Sequence, residues 1–578
     1  MGVLEATWVR EFTERNGRPP RVLHVGNIAN NAYINAKIQR RYGVEADVVA
    51  FDYYHIMGNP EWEDATFSGD VDEFFPDWWS VGLGDWERPS WFVQGPQRTC
   101  IAYLVARTAQ DVKAMRSSWR RLRLERWLLT RSTRWATFVR VAFLATRATY
   151  APRSARAMAM QMLSTGRIPG PSWVLEALAR IERLLRLLPR KLRELWRAVH
   201  ASANGTPLRE ALAIHLMPTR LRRYAPANAS GRPVAVTATD AIAERALPWI
   251  EQFRQFFPER ADQLSVDDTA PWFELGTMWR EVFVGYDVVQ MYATYPAMAL
   301  AAGIPSWTAY EHGTLRDIPF ADDPVGRITA LGYRLAPTVF VTNADDLDAA
   351  ARLGIEQART VALPHAVDSD KIFSFSERHP HRKRPAGERV HFFAPARHDW
   401  ADPLSTGQKG NDRVVEALRL LRDEGLAPVV MFVDWGRDAV KTKQLIDELE
   451  VVESVAWTPP LRKADLWRAY LDADAVIDQF VMGVMGSVTF EALGLGRRVI
   501  SALDTDINVR FFGEAPPLLA ARSAAEIADA MRLVVEDPQD AGGRGVAARD
   551  WFERYHSSER IVDLQLETYE RLVRAAAT

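Results

Sequence analysis

Short apolar runs alternate with segments of helical spacing along most of this chain. Such runs are typical of strands buried on both faces of a parallel sheet, and they predict strands at 21–25, 45–52, 286–292, 306–310, 338–342, 390–397, 428–433, near 455 and from 476. Between them, apolar residues three and four apart predict helices ending near 41, at 296–302, 327–335, 344–353, 412–423, 439–449, 524–535 and 558–575. Strands that alternate with helices in this way predict an α/β protein with parallel sheets.

The chain is predicted to form two α/β domains, because 578 residues are too many for a single hydrophobic core. The first domain is predicted to span 1–375 and the second 389–557. Residues 376–388, which are rich in His, Arg and Pro, are the predicted linker, and 558–578 is predicted to be a final helix that crosses back to the first domain. Residues 60–98, which are rich in Trp, Pro and Asp, are predicted to form a long ordered loop.

A basic helical insertion is predicted within the first domain, at about 100–230. From Arg107 to Arg197 there are 21 Lys and Arg residues and five acids, a balance of +16 in a chain whose net charge is −2. Arginines on one helical face, with Leu and Trp on the other, are typical of helices that lie on an anionic membrane surface. A helical insertion packed on the first domain explains the same pattern. Nucleic acid is not expected as a partner, because no binding motif accompanies the charge.

Composition is that of a soluble globular protein, with 48% hydrophobic and 25% charged residues. No stretch approaches the roughly 18 consecutive apolar residues of a membrane-spanning helix. Cys100 is the only cysteine, so an intrachain disulfide is excluded. The first residues lack the apolar core of a signal peptide. We therefore expect a cytoplasmic protein, with the basic insertion as a means of peripheral attachment to the inner membrane face.

The segment Val476–Ile500 has the most informative pattern in the chain: a buried strand, a glycine-containing loop, a short helix and the start of another strand. A loop that follows a parallel strand and leads into a helix is where open α/β sheets bind anionic ligands. Backbone N–H groups from Gly483 to Ser487 are therefore expected to hold phosphate. Glu491, inside the helix, is placed to accept hydrogen bonds from a sugar diol.

This segment resembles the donor-nucleotide motif of GT-B glycosyltransferases of family four, in which Glu-x-x-Gly-x-x-x-x-Glu-Ala precedes a turn of small residues and Pro-Val-Ile. The matching residues are Gly486, Glu491, Ala492, Gly496, Val499 and Ile500. Gly483 stands where the family has the first Glu, which contacts the donor sugar. The resemblance covers 21–55 and 280–575. It implies an α/β protein of the GT-B fold, two Rossmann-like domains facing a cleft, with the helical insertion in the N-terminal domain.

The resemblance implies a diphosphate site at Arg397 and Lys409, which match the Arg and the Lys-Gly of the family. Glycosyl transfer builds negative charge on the departing diphosphate, so cations near it stabilise the transition state. His312, in Tyr-Glu-His-Gly-Thr after a first-domain strand, matches the histidine that approaches the donor sugar. Asp434, at the end of another strand, is placed near the nucleotide base. No bound metal is expected, because Arg and Lys replace it in this fold, and no cofactor is expected.

The turn after the first strand is predicted to face the acceptor through Gly26, Asn27, Asn30 and Asn31, and a simple Asn-rich turn explains the same residues equally well. It has one glycine where a dinucleotide site would show Gly-x-Gly-x-x-Gly, so a dinucleotide cofactor is not expected there.

The sequence therefore predicts a glycosyltransferase that moves a sugar from a nucleotide-sugar donor to a cell-envelope glycan or a lipid-linked acceptor. Retention of configuration is implied by the resemblance alone. A nucleotide-sugar epimerase of GT-B shape would use the same diphosphate site. A catalytically degenerate scaffold that binds glycan or membrane is the non-enzymatic alternative, and Gly483 is the residue that favours it.

Overall fold

A computed structural model describes residues 7–51, 54–69, 71–72, 75–130, 238–382, 384–385, 387–403, 405 and 407–577. The strands are β1 (Arg21–Val25), β2 (Glu45–Ala50), β3 (Phe92–Gln94), β4 (Val288–Tyr292), β5 (Trp307–Tyr310), β6 (Val339–Val341), β7 (Thr360–Ala362), β8 (His391–Ala394), β9 (Val429–Val433), β10 (Val455–Thr458), β11 (Ala475–Ile477), β12 (Val499–Ser501) and β13 (Leu519–Ala520).

The helices are α1 (Thr7–Asn16), α2 (Asn31–Arg41), α3 (Pro60–Asp64), α4 (Gln97–Thr108), α5 (Val112–Thr130), α6 (Ala238–Phe256), α7 (Val266–Phe283), α8 (Pro296–Ala302), α9 (Pro324–Leu335), α10 (Asp346–Arg352), α11 (Ser369–Arg378), α12 (Asn411–Asp423), α13 (Ala439–Glu448), α14 (Lys463–Asp472), α15 (Ser487–Gly494), α16 (Thr505–Phe512), α17 (Ala524–Glu536), α18 (Arg544–His556) and α19 (Ser558–Ala577).

Within these residues the strands form two parallel sheets. Their orders are β3-β2-β1-β4-β5-β6-β7 and β10-β9-β8-β11-β12-β13. In each sheet the strand order reverses beside the first strand, β1 or β8, and Rossmann-like sheets bind their ligands at this point. The topology confirms the predicted α/β class and its GT-B organisation of two Rossmann-like domains.

The strands are apolar on both faces because helices cover both faces of each sheet. Successive residues of one strand enter different cores in the second sheet: Phe392 and Ile477 pack on one face, whereas Phe393 and Val476 pack on the other. The sheet edge that carries the strand ends is thereby held between two well-packed layers.

The final helix, α19, packs against the first sheet. Ile561 and Leu566 belong to the same apolar core as β1 and β4. The hydroxyl of Tyr569 donates to the side-chain oxygen of Gln290 at 2.6 Å, and Gln39 Nε2 donates to Gln565 Oε1 at 2.6 Å. The helix that follows the second sheet is thus fixed to the first by apolar and polar contacts.

The prediction of a loop over 60–98 was wrong at three places, because α3 and β3 lie within it and α4 begins at Gln97. β3 pairs with β2, where Val48 is opposite Phe92 and Ala50 is opposite Gln94. A strand of three residues is too short for its alternation to stand out from the neighbouring tryptophans and prolines.

By its contacts the chain separates into two compact units. Among the described residues, those within 1–125, 275–321 and 329–578 form the unit that holds both sheets, and those within 126–274 and 322–328 form the other. Within the second unit, the Trp249 and Phe273 rings lie 4.6 Å apart and Arg327 Nε is 3.0 Å from an oxygen of Asp268.

Most of the predicted basic insertion, residues 131–230, lies outside the described residues, and so do its predicted membrane-facing helices beyond α5. Among the helices that the structure does describe, none is both long and apolar enough to cross a bilayer.

Candidate functional site

A cavity of about 480 Å³ lies between the carboxyl ends of the two sheets. The first domain contributes the loops after β5 and β6, and the second contributes the loops after β11, β12 and β13. The lining residues are Gly313, Arg316, Asp317, Asp345, Met482, Gly483, Val484, Asp504, Ile507 and Arg522. The cavity therefore lies where ligands bind in open α/β sheets.

The loop after β11 leads into α15, whose N-terminus faces this edge. Gln479 Nε2 donates to the carbonyl of Val484 at 2.8 Å and closes the loop on itself. Asp478 is buried and accepts a hydrogen bond from Thr489 Oγ1 at 2.7 Å. Burial raises the pKa of Asp478, and Lys409 partly offsets that effect. The loop from Gly483 to the start of α15 is thus held in place, and the carboxylate of Asp478 also accepts hydrogen bonds from the backbone N–H groups of Gly486 and Thr489.

Lys409 lies beside this loop. Its Nζ donates to Gln479 Oε1 at 2.6 Å, and its backbone carbonyl accepts from Phe480 N at 2.9 Å. Burial lowers the pKa of Lys409, Asp478 raises it, and the nearby Arg397 and Arg316 lower it further. A lysine that lies near other cations gains electrostatic stabilisation when an anion binds beside them.

Arg397 and Arg316 bring further positive charge to Lys409 from the two domains. Arg397 follows β8, and within the described residues its contacts are long, with Nη2 3.4 Å from the Gly407 carbonyl and Nε 3.7 Å from Asp399 Oδ2. Arg316 belongs to the first domain and was not among the site residues predicted from the sequence. Arg397 and Arg316 therefore lie near enough to Lys409 to influence its charge, although of the three only Arg316 lines the cavity. The shared diphosphate site of Arg397 and Lys409 stays a prediction.

The histidine loop after β5 is anchored by Glu311. Its buried carboxylate accepts hydrogen bonds from the backbone N of Gly313 (2.6 Å), the backbone N of Thr342 (2.6 Å) and Asn343 Nδ2 (3.0 Å). Burial alone would raise the pKa of Glu311, but the hydrogen bonds from Asp346 and Thr342 outweigh burial and lower it. Glu311 is thus an ionised anchor beneath the loop.

His312 lies on this loop, beside the cavity. Burial lowers its pKa, so the imidazole is neutral at pH 7. Asn31 Nδ2 lies 3.2 Å from His312 Nδ1. A neutral histidine here offers one hydrogen-bond donor and one acceptor to a bound ligand.

A second histidine, His365, completes this cluster and was missed by the sequence reasoning. Its Nδ1 is 3.4 Å from Asn31 Oδ1 and its Nε2 is 3.2 Å from Asn343 Oδ1. The rings of His365 and His312 are perpendicular and 5.5 Å apart, and Phe490 of α15 lies 5.6 Å from His365. Burial, followed by the charge of His312, lowers the pKa of His365 to about 3. The available signal was its position after β7, at the same sheet edge as His312.

The Asn-rich turn divides into buried and site-facing residues. Asn27 and Asn30 are about 1% exposed, and their side-chain amides donate to the carbonyls of Gly58 and Asn59, both at 2.9 Å. They hold the turn in place, with Asn30 in the left-handed region at φ 58°. Asn31 is the member of the turn that contacts the two histidines.

Gly26, predicted to face the acceptor, packs beneath the ring of Tyr295. A Cβ atom at Gly26 would lie 2.9 Å from that ring, and the residue has φ 95°. Glycine is therefore required for the turn itself.

Glu491 is engaged by other side chains and does not line the cavity. Its Oε1 is 2.6 Å from Lys463 Nζ, and its Oε2 accepts from Trp467 Nε1 at 2.7 Å. A ribose diol at Glu491 would share this carboxylate with Lys463. The ribose assignment stays a prediction.

Gly483 is a cavity residue with no room for a side chain. A Cβ atom there would lie 2.6 Å from Arg522 Nη2 and 2.8 Å from Asp504 Cβ. The neighbouring Gly486 precedes α15, and Ser487 is the first residue of that helix. The space that the family gives to a glutamate is occupied here by Arg522 and Asp504.

Asp434 lies at the carboxyl end of β9, away from the cavity lining. Its carboxylate is paired with Lys443 at 2.7 Å and is 44% exposed. Its predicted contact with the nucleotide base stays a prediction.

No protein-family model and no curated protein matches this chain. Solved structures that resemble it include Anabaena HepE in complex with UDP and glucose, with 16% identity, coverage of 60% of this chain and 98% of HepE, and a TM-score of 0.40. A glycosyltransferase from Rickettsia africae has 14% identity, coverage of 52% and 81%, and a TM-score of 0.38. The lipopolysaccharide outer core galactosyltransferase WaaB has 12% identity, coverage of 53% and 80%, and a TM-score of 0.39.

Proposed function

We propose that this protein is a glycosyltransferase of the family-four type that uses a nucleotide-sugar donor. The observation that supports this most strongly is that Lys409 and Arg397 lie close together beside the loop 483–487, with Arg316 nearby on the first-domain side. These cations lie near the loop that leads into α15, at the crevice of a Rossmann-like sheet. This combination suits a diphosphate.

The chemistry of such a site follows from its charges. When the bond from the anomeric carbon to the diphosphate breaks, negative charge grows on the leaving oxygen. Lys409 is already held in place by its hydrogen bond to Gln479, so it can stabilise that charge with little reorganisation, and Arg397 adds a second positive charge nearby. His312 and His365 are neutral and lie on the first-domain side, where they can bind sugar hydroxyl groups by hydrogen bonds.

The acceptor is proposed to be a cell-envelope glycan or a lipid-linked sugar, and transfer to proceed with retention of configuration. The basic segment 107–197 supports a membrane-associated acceptor, because its balance of +16 would hold the enzyme at an anionic surface. Retention rests on the resemblance to family four.

The test is a thermal-shift and calorimetric panel of UDP, GDP, ADP and their nucleotide sugars. At least one nucleoside diphosphate should bind the parent, and Lys409→Met and Arg397→Met should each weaken it by roughly tenfold or more, the worth of one charge-assisted hydrogen bond. The control is Lys441→Met, on an exposed lysine of α13, which should bind as the parent does. If no nucleotide binds the parent, the hypothesis of a catalytically degenerate scaffold replaces that of a transferase.

A further inference from the structure

Two arginines, one from each Rossmann-like domain, line the cavity and lie over glycines. A Cβ atom at Gly313 would be 2.5 Å from Arg316 Nη1, and one at Gly483 would be 2.6 Å from Arg522 Nη2. The two guanidinium groups therefore occupy space that a side chain at either position would take. The glycines let both cations reach the cavity wall.

Arg316 has one group left for a ligand. Its Nε and Nη2 form a two-point pair with Asp345, at 2.7 and 3.1 Å. This pair neutralises Asp345, and among the described residues Nη1 donates to no acceptor. Nη1 is also the atom that lies over Gly313.

Arg522 makes no ion pair within the described part of the chain. Its main chain is fixed, because its N donates to Glu526 Oε2 at 2.9 Å and its carbonyl accepts from Arg413 at 2.8 Å. The carboxylate of Glu526 also accepts hydrogen bonds from the N and Oγ of Ser523 at the start of α17. The guanidinium of Arg522 thus extends from a rigid base to Gly483.

The carboxylates of the cavity leave Arg522 without a counter-ion. Asp345 is paired with Arg316, and Asp504 Oδ1 accepts from the backbone N of Ile507 at 3.3 Å at the start of α16. Asp317, the third acid, is exposed. No oxygen of these acids comes within ion-pair distance of Arg522 in the described structure.

We propose that Arg522, together with Nη1 of Arg316, binds a carboxylate on the donor sugar, so that the preferred donor is a nucleoside diphosphate-hexuronate. This inference rests on the proposed function. A guanidinium presents parallel N–H donors that match the two oxygens of a carboxylate, and a neutral hydroxymethyl group cannot use both. A phosphate oxygen of the donor offers the same anionic chemistry, and the experiment separates the two sources.

The experiment measures binding of donors that differ only in oxidation at C6: UDP-glucose with UDP-glucuronate, and GDP-mannose with GDP-mannuronate. UDP and GDP alone serve as references. The proteins are the parent, Arg522→Gln, Arg522→Lys and, as control, Arg419→Gln on the exposed face of α12.

For the nucleotide that binds, the parent should bind the hexuronate roughly tenfold or more tightly than the hexose. Arg522→Gln should remove this preference while the nucleoside diphosphate alone binds within about twofold of the parent, and Arg522→Lys should retain part of it, because the charge remains without the planar fork. Arg419→Gln should keep it in full.

Equal affinity of the parent for both members of a pair would overturn the inference and leave the proposed function standing. The inference would also be overturned if Arg522→Gln lost as much affinity for UDP or GDP alone as for the hexuronate donor, since Arg522 would then bind the diphosphate. If neither nucleotide binds the parent at all, the proposed function fails and this inference fails with it.

Discussion

Lys463 places its Nζ 2.6 Å from the Oε1 of Glu491, and the same Nζ lies 3.4 Å from Oε2 of Glu63. All three side chains are largely buried. Burial alone would lower the pKa of Lys463, but the carboxylates of Glu491 and Glu63 outweigh burial and raise it above its ordinary value. One buried cation therefore joins α15, the helix of the donor segment, to α3 of the first domain.

The ion pairs continue into the first domain. Lys371 Nζ lies 3.0 Å from Asp64 and 3.5 Å from Glu63. Lys37 Nζ lies 2.7 Å from Asp64 and 2.8 Å from Asp368. The orientation of α15 is thus tied to α2, α3 and α11 through alternating charges, which makes Lys463 a structural link between the two domains.

The variant Lys463→Met should lower the free energy of unfolding by about 3–5 kcal/mol. It removes the cation between Glu63 and Glu491 and leaves two buried carboxylates without it. The measurement is urea denaturation at pH 7, with Lys441→Met as a surface control expected to cost under about 1 kcal/mol.

The double variant Lys463→Met, Glu491→Met should be more stable than Lys463→Met alone, since it also removes the buried carboxylate that loses its only ion pair among the described residues, that with Lys463. A single variant as stable as the surface control would mean that water reaches these carboxylates and that the link contributes little.

The variant Glu491→Gln should weaken binding of a nucleoside diphosphate with an intact ribose diol more than binding of its 2′,3′-dideoxy analogue. An amide is a poorer acceptor for two hydroxyl groups than a carboxylate. Calorimetry with both ligands gives the comparison. Equal losses for the two ligands would assign Glu491 to Lys463 and Trp467 alone and remove it from the ribose site.

Stability should fall as the pH is lowered from about 6.5 to 4. Burial lowers the pKa of His24 to about 4, with a smaller opposing effect from Gln39, and burial likewise lowers the pKa of His556 to about 4. In the unfolded chain a histidine titrates near 6.5. Between the two values the unfolded state binds the extra proton, so each such histidine lowers the free energy of unfolding by about 1.4 kcal/mol per pH unit of acidification.

The variant His24→Gln isolates one of these groups. Its dependence of unfolding free energy on pH, measured by denaturation between pH 6.5 and 4.5, should be shallower than that of the parent by about 1.4 kcal/mol per unit. His556→Gln should give a similar change independently. Parallel curves for parent and variant would show that His24 takes up its proton while folded.

Local patterns predicted most strands of the two sheets and placed Arg397 and Lys409 beside the second sheet; their role at a diphosphate stays a prediction. Buried strands and helical periodicity depend on residues that are close in sequence. Arg397 lies shortly after a strand, and Lys409 lies shortly before a helix. Because the ends of neighbouring parallel strands share one edge of the sheet, the strand assignment implied that Arg397 and Lys409 lie near each other.

The remaining site residues depend on contacts between distant parts of the chain. Arg316 and Lys409 belong to different domains, and no spacing in the sequence predicts how those domains meet. To predict His365 as a site residue, one would have had to know that both Asn31 and Asn343 lie next to it. Glu491 was predicted as free for ligand, because nothing local to α15 indicates that Lys463 would reach it.

The last prediction concerns the basic segment 107–197, most of which lies outside the described residues. Its excess of 16 positive charges should attract anionic headgroups at about 1 kcal/mol for each residue near the surface. The full chain should co-sediment with phosphatidylglycerol vesicles at low salt and much less with phosphatidylcholine vesicles. At high salt the electrostatic part should weaken as the Debye length falls to about 3 Å at 1 M, while any binding through Trp and Leu persists. Absence of binding to either vesicle at low salt would leave the segment as a packed insertion and remove the reason to place the acceptor at a membrane.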